Sequence, residues 1–375
     1  MTYMKKILHL VPAFCAVLVL SSLTGLYGQA TTDWTGSAGD GLWTTNTNWE
    51  ANDVPNSINE VADFNPASFV TPGNQIVSIP ALTNITIRQL RTTSSNDVTI
   101  NGPGTLTFNR SAVGVGMGVF DFGASGGNLT INNDVNVAFA GSFGISGFSA
   151  SQTVTFNGDL DFGSGDLALS SDAGQVTFNG SLSGSGRLFQ SIGSSDTSVA
   201  TITAANTYTG DTVVQKGKLV ASGNATTFGD GTGRINILGP SSLSSSDAVL
   251  ELSNLNNSTI SNNYVFGGDG PNGSGVLQLT GGDATFTGSG SITGNGGSTA
   301  TLAVASGSTL TLANTLSPSS SNTIEFTGDG DVVTSGSGAI TSSLGHVRKE
   351  GSGTLTYGGA ENTYLGVTTI NGGAL

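Results

Sequence analysis

Short runs in which every second residue is apolar recur along this chain, and no stripe of helical period competes with them. Val98 and Ile100 flank Thr99, and Leu106 and Phe108 flank Thr107. The same alternation returns at Leu129/Ile131, Val135/Val137/Phe139, Val154/Phe156, Val176/Phe178, Ile235/Ile237 and Leu250/Leu252. It continues at Leu277/Leu279, Leu302/Val304, Leu310/Leu312 and Leu355/Tyr357. Each run is closed by Gly, Asn or Asp, which supply the positive φ and local side-chain hydrogen bonds of tight turns. Period-two runs bounded by such residues predict short half-buried strands. The 57 glycines and the charge content of only 10% would also suit a disordered stalk. A stalk has no reason to preserve the alternation, so the chain is expected to be all-β.

The runs also resemble one another. "VTFNGDLDFGSG" at Val154 returns as "VTFNGSLSGSG" at Val176, one short step on. "FTGSGSITG" at Phe286 is echoed from Phe326, at a spacing that reads as two such steps. "GTLTF" at Gly104, "STLTL" at Ser308 and "GTLTY" at Gly353 form a third set. A step of about 20–25 residues predicts a solenoid in which each repeat is one coil. One coil cannot bury its apolar side chains alone, but stacked coils share a dry interior. From residue 75 onward about 13 coils would stack to about 60 Å at the usual inter-strand spacing. A tandem β-sandwich is the alternative, and it predicts repeats of about 100 residues.

One sentence of the sequence is spoken twice. Asn206, Thr207, Tyr208, Gly210, Thr212, Gly217 and Leu219 match Asn362, Thr363, Tyr364, Gly366, Thr368, Gly372 and Leu375. In a strict count Gly372 falls one place early, with Gly373 as the other choice for that position.

The first thirty residues read as an export signal. Lys5 and Lys6 form a basic start, Ile7 to Leu20 is mostly apolar, and Gly28-Gln29-Ala30 supplies small residues before a cut after Ala30. His9 and Pro12 interrupt the apolar run, which disfavours a membrane span. All 25 acidic residues lie beyond this segment, whereas Lys5 and Lys6 are lost from the 11 basic ones. The acidic remainder predicts neither nucleic acid nor membrane insertion as a partner. The single cysteine, Cys15, leaves with the signal, so no thiol chemistry or disulfide remains. Residues 31–74 hold all three tryptophans, Trp34, Trp43 and Trp49. They read either as a cap over the open end of the solenoid or as a platform for stacking sugar rings, and the cap is preferred.

The segments "GSGTLTYGGAENTYLGVTTINGGAL" from Gly351 and "ITAANTYTGDTVVQKGKLVASGNATTFGDG" from Ile202 resemble the autotransporter-associated β-strand repeat of bacterial secreted proteins. The Trp-rich opening also resembles the N-terminal segment of such proteins. The resemblance implies a right-handed parallel β-helix, secreted or displayed on the outer surface of a Gram-negative-type cell. Autotransporters end in a membrane barrel, and no such pattern of long alternating strands is seen here. The repeat region, 75–375, is therefore expected to be truncated at its C-terminal end.

Catalytic readings find little to rest on. Pectin-cleaving β-helices need clustered carboxylates, often with Arg or His beside them. Asp159 with Asp161, and Asp329 with Asp331, are the closest acidic pairs, and they read as turn residues. His346 reads as a surface residue beside Arg348 and Lys349. Gly268, Gly270 and Gly273 carry a dinucleotide-like spacing that 57 glycines produce about once by chance. "GDGD" at Gly328 and "GGDGPNGSG" at Gly267 resemble Ca²⁺-binding nonapeptides but do not recur in tandem. Gly123-Ala124-Ser125-Gly126-Gly127 fits an esterase elbow without its strand-to-helix context. No cofactor or metal is expected. The expected function is a non-catalytic scaffold with adhesin-like, weak binding to polysaccharide or cell-surface matrix. A β-helix lyase or hydrolase and a passive spacer are the alternatives.

Overall fold

The structure is a computed structural model. It describes residues 30–375 apart from 94, 111–119, 123–126, 147–148, 150, 171–173, 191–197, 224–227, 239–247, 295–297 and 320. The export signal, save Ala30, and the elbow-like 123–126 lie outside the described residues.

The chain is an all-β parallel solenoid. Its only described helical pieces are four three-residue 3₁₀ turns. The first face is a thirteen-stranded sheet running from Gln75–Ser78 to Thr368–Ile370. The second face carries two five-stranded sheets, one from Asn84–Ile87 to Leu182–Ser183 and one from Leu255–Ile260 to Leu355–Tyr357. The third is a twelve-stranded sheet from Ala30–Asp33 to Leu316–Pro318. The third face begins with Ala30–Asp33 pairing Glu60–Asp63, so the Trp-rich segment is continuous with the solenoid.

The echo of Val154 at Val176 is one turn. Val154, Thr155 and Phe156 pair with Val176, Thr177 and Phe178, and the two phenyl rings stack with centroids 5.1 Å apart. Turn lengths run more widely than expected, from the short winding between Val199 and Lys218 to the long one between Val98 and Leu129. The echo of Phe286 at Phe326 is not two turns. Phe286 lies on the second face, pairing with Leu312, while Phe326 lies on the first, between Leu302 and Lys349. The three faces offer a strand the same environment, so a similar strand and corner can serve on any of them.

Inward positions align from turn to turn. On the first face Val98, Leu129, Val154, Val176, Ala200 and Leu219 form one ladder, continued by Leu250, Leu277, Leu302 and Phe326. All are buried. Each large side chain among them contributes about 1.5–3 kcal/mol by leaving water, which is how a chain without a disulfide is held together. The ladder's next member is Lys349, 1% exposed, followed by Ile370. Lys349 thus points inward rather than lying on the surface beside His346. Its Nζ donates to the carbonyls of Glu350 and Gly351, and burial pushes its pKa below the ordinary lysine value.

Candidate functional site

The doubled motif builds the same device in both places. On the second face, the leading N–H of each of three strands (Leu106, Val135, Leu160) donates to a main-chain carbonyl of the next turn, from Asp134, Asp159 and Ser181. At Leu182 the next turn forms no strand on this face. The N–H donates instead to Asn206 Oδ1, at 2.8 Å. The Thr207 and Thr209 N–H groups then donate back to the carbonyls of Leu182 and Gly184. A side-chain amide therefore stands in for the backbone, and the chain keeps its place on the stack without a strand.

The second copy repeats this one face further round. Ile340 bridges Leu316 on the third face, and its N–H donates to Asn362 Oδ1 at 2.7 Å. The Thr363 N–H donates back to the Ile340 carbonyl. Thr212 opens a third-face strand, whereas Thr368 opens a first-face strand. Each tyrosine hydroxyl lies 2.5 Å from the threonine four positions on, Tyr208 with Thr212 and Tyr364 with Thr368. Tyr208 is fully buried, and burial holds its phenol well above the usual range. Tyr364 is partly buried and meets the Tyr357 hydroxyl at 3.2 Å.

The motif glycines are fixed by close approach. A Cβ on Gly210 would lie 2.1 Å from the Gly186 carbonyl oxygen, and one on Gly366 2.1 Å from that of Gly345. Gly217 adopts φ +68°, as Gly373 does at +71°. Gly372 is absent from the positive-φ glycines, so Gly373 rather than Gly372 is the conformational equivalent of Gly217. Leu219 is buried in the first-face ladder, whereas Leu375 is 53% exposed.

The three tryptophans gather at the N-terminal turn. Trp34, Trp43 and Trp49 are 1%, 0% and 2% exposed and pack around Phe64 with centroids 4.9–6.2 Å apart. Their ring nitrogens donate to Gln75 Oε1 and to the carbonyls of Pro55 and Trp43. No indole face is open to a sugar ring, so the stacking platform has no accessible surface here.

The acidic pairs are tied into corners. Asp159 Oδ1 accepts from the Ser181 N–H and Asp161 Oδ1 from the Gly163 N–H. Asp329 Oδ1 accepts from the Ser352 hydroxyl and Asp331 Oδ1 from the Thr354 N–H. His346 Nδ1 accepts from the Val367 N–H. Gly268, Gly270 and Gly273 lie in a corner with a single 3₁₀ turn, Pro271–Gly273, and no helix N-terminus. Among the described residues no three His, Cys, Asp or Glu side chains are grouped to hold a metal ion, and no helix is long and apolar enough to cross a membrane.

Two outward patterns escaped the sequence reading. At the corner entering the third face, Asp166, Arg187, Asp211 and Arg234 occupy equivalent places on four successive turns. Arg187 Nη2 lies 2.6 Å from Asp166 Oδ2, and this guanidinium holds the Asp166 carboxyl below the usual range. On the first face, Thr99, Thr130, Thr155, Thr177 and Thr201 form one outward row in direct register. Beside it the side chains of Asn132, Asn157, Asn179 and Thr203 are hydrogen-bonded in series at 2.7–3.1 Å.

Two segments of the chain, residues 195–221 and 347–375, match the family model of the passenger-associated-transport repeat, and they contain the two copies of the motif. No curated protein and no solved structure gives a match. The repeat belongs to autotransporter passenger domains, and with the β-solenoid it fits an autotransporter-associated repeat protein.

Proposed function

From a β-solenoid that carries two passenger-associated-transport repeats, we propose a secreted or cell-surface scaffold of a Gram-negative-type bacterium. It is non-catalytic and holds polysaccharide or surface matrix through many weak contacts. The repeat and the solenoid fit a surface-exposed β-helix scaffold. The observation that supports the binding step is the first face. Between Thr99 and Thr203 its outward side carries mostly hydroxyl and amide side chains, mounted on a buried apolar ladder. Many weak contacts on a rigid array add through effective concentration. The commitment of both acidic pairs to corner hydrogen bonds supports a non-catalytic reading.

The test uses the purified full chain on immobilised polysaccharides and on whole cells, with reducing ends assayed in parallel. Retention without release of reducing ends is expected. Release of reducing ends would favour a lyase or hydrolase. Retention on no surface at all would leave a passive spacer and remove the adhesive role.

A further inference from the structure

Part of the first face carries a regular polar surface. Three outward rows run over successive turns from Asn128 to Thr203. The central row is Thr130, Thr155, Thr177 and Thr201, extended below by Thr99. Their hydroxyls make no hydrogen bond within the described residues, and each is half-buried between its row neighbours. On one side stands the amide series, in which Asn157 Nδ2 donates to Asn132 Oδ1 and Asn179 Nδ2 to Asn157 Oδ1. That chain of bonds fixes which way the carboxamides point, and Asn157 and Asn179 each keep one N–H and one lone pair for an outside partner, while Asn132 keeps both N–H groups and one lone pair. On the other side stand Asn128, Thr153 and Gln175, followed in register by Val199, with Thr153 donating to Asn128 Oδ1.

No ionisable side chain occupies these rows between Asp97 below and Lys218 above. The wall is thus a neutral lattice of fixed donors and acceptors repeating about every 4.8 Å along the stack. Among classes of ligand, an apolar surface would find only Val199 within these rows, and Ile76 and Val220 at their two ends. A peptide strand would find no free backbone edge, because both neighbours of each strand are already paired. A polyanion would meet the field of a chain with formal charge −14. A neutral polymer that is itself a periodic row of hydroxyls meets all three constraints.

We infer that this wall, centred on Thr130, Thr155 and Thr177, is the contact surface for an extended, uncharged polysaccharide laid along the solenoid axis. The inference rests on the proposed scaffold function and names both the ligand class and the face. Each rung contributes little, and neighbouring rungs add because the first contact holds the chain over the next.

Affinity electrophoresis of the full chain tests it, in gels cast with mixed-linkage β-glucan or with polygalacturonate. The triple variant Thr130→Val, Thr155→Val, Thr177→Val removes three hydroxyls and keeps good strand formers. The comparison variant makes the same change on the second face, at Thr259, Thr285 and Thr311, a row in register there. Retardation by β-glucan and not by polygalacturonate is expected. It should weaken by about tenfold or more in the first variant, and stay unchanged in the second. Replacing the same first-face residues by Ser should restore it, which separates lost hydroxyls from lost folding. Equal loss in both Val variants, or no retardation by any neutral glucan, overturns the inference. If the chain then still adheres to cells, the scaffold function stands without it. If it releases reducing ends, the scaffold function falls instead.

Discussion

Asn206 Oδ1 accepts the N–H of Leu182 at 2.8 Å, in the place where the turns below present a main-chain carbonyl to Leu106, Val135 and Leu160. Asn206→Ala leaves this buried N–H without a partner. An unsatisfied buried group costs about 1–3 kcal/mol, and urea unfolding followed by circular dichroism should show a loss of that size. Asn362→Ala should cost less, because its turn is only partly buried. Equal and negligible losses would mean that the amide does not replace the carbonyl.

Gly210 stacks on Gly186, which stacks in turn on Gly165. Gly210→Ala forces a methyl group to 2.1 Å from a carbonyl oxygen that is itself part of the stack. The expected loss is about 1–3 kcal/mol, the range for overpacking. Gly307→Ala is the comparison, since open space surrounds that position and only its φ of +77° is strained. A smaller loss at Gly210 than at Gly307 would contradict the close-packed corner.

Lys349 interrupts an apolar ladder, and burial lowers its pKa from the ordinary 10.5. In the window just below 10.5 the unfolded chain holds the proton and the folded chain releases it. Stability therefore rises with pH as the window is entered. Tyr208 and Tyr264 act in the opposite sense, because burial raises their phenols above the ordinary 10.0. Above that value the unfolded chain loses those protons first, and stability falls. Urea midpoints across the alkaline range should pass through a maximum, and Lys349→Met should abolish the rising limb while keeping the fall. A rising limb that survives in the variant would assign it to another group.

Trp43 is fully buried and donates its ring N–H to the Pro55 carbonyl. Trp43→Ala should cost about 3–5 kcal/mol, as large-to-small changes in a core do. Thermal melting measures the loss, and native tryptophan emission should be blue-shifted. Emission typical of solvent-exposed indole in the native protein would place the three rings outside the core.

Much of the architecture is legible in the residues alone. The pairing of Val154 with Val176 and the burial of their ladder follow from period-two alternation and a recurring step, because apolar side chains must share one interior. What escaped has a common physical cause. Phe286 and Phe326 open similar words on different faces, since a strand with one buried side meets equivalent surroundings on each wall. Asn206 and Asn362 stand out in the sequence as members of a doubled motif but not as caps, because sequence does not distinguish an amide that closes its own turn from one that serves the turn below. The threonine row was visible only as alternation. Its register depends on windings of unequal length, and only the folded stack brings Thr130, Thr155 and Thr177 into line.

The shift of the motif from one wall to the next bears on how such a molecule can grow. A cassette that seats itself by an amide, a tyrosine clamp and a bare glycine corner serves at two different walls of the same stack. Duplication of such a segment therefore need not keep phase with whole windings, since the two copies here already differ by one wall.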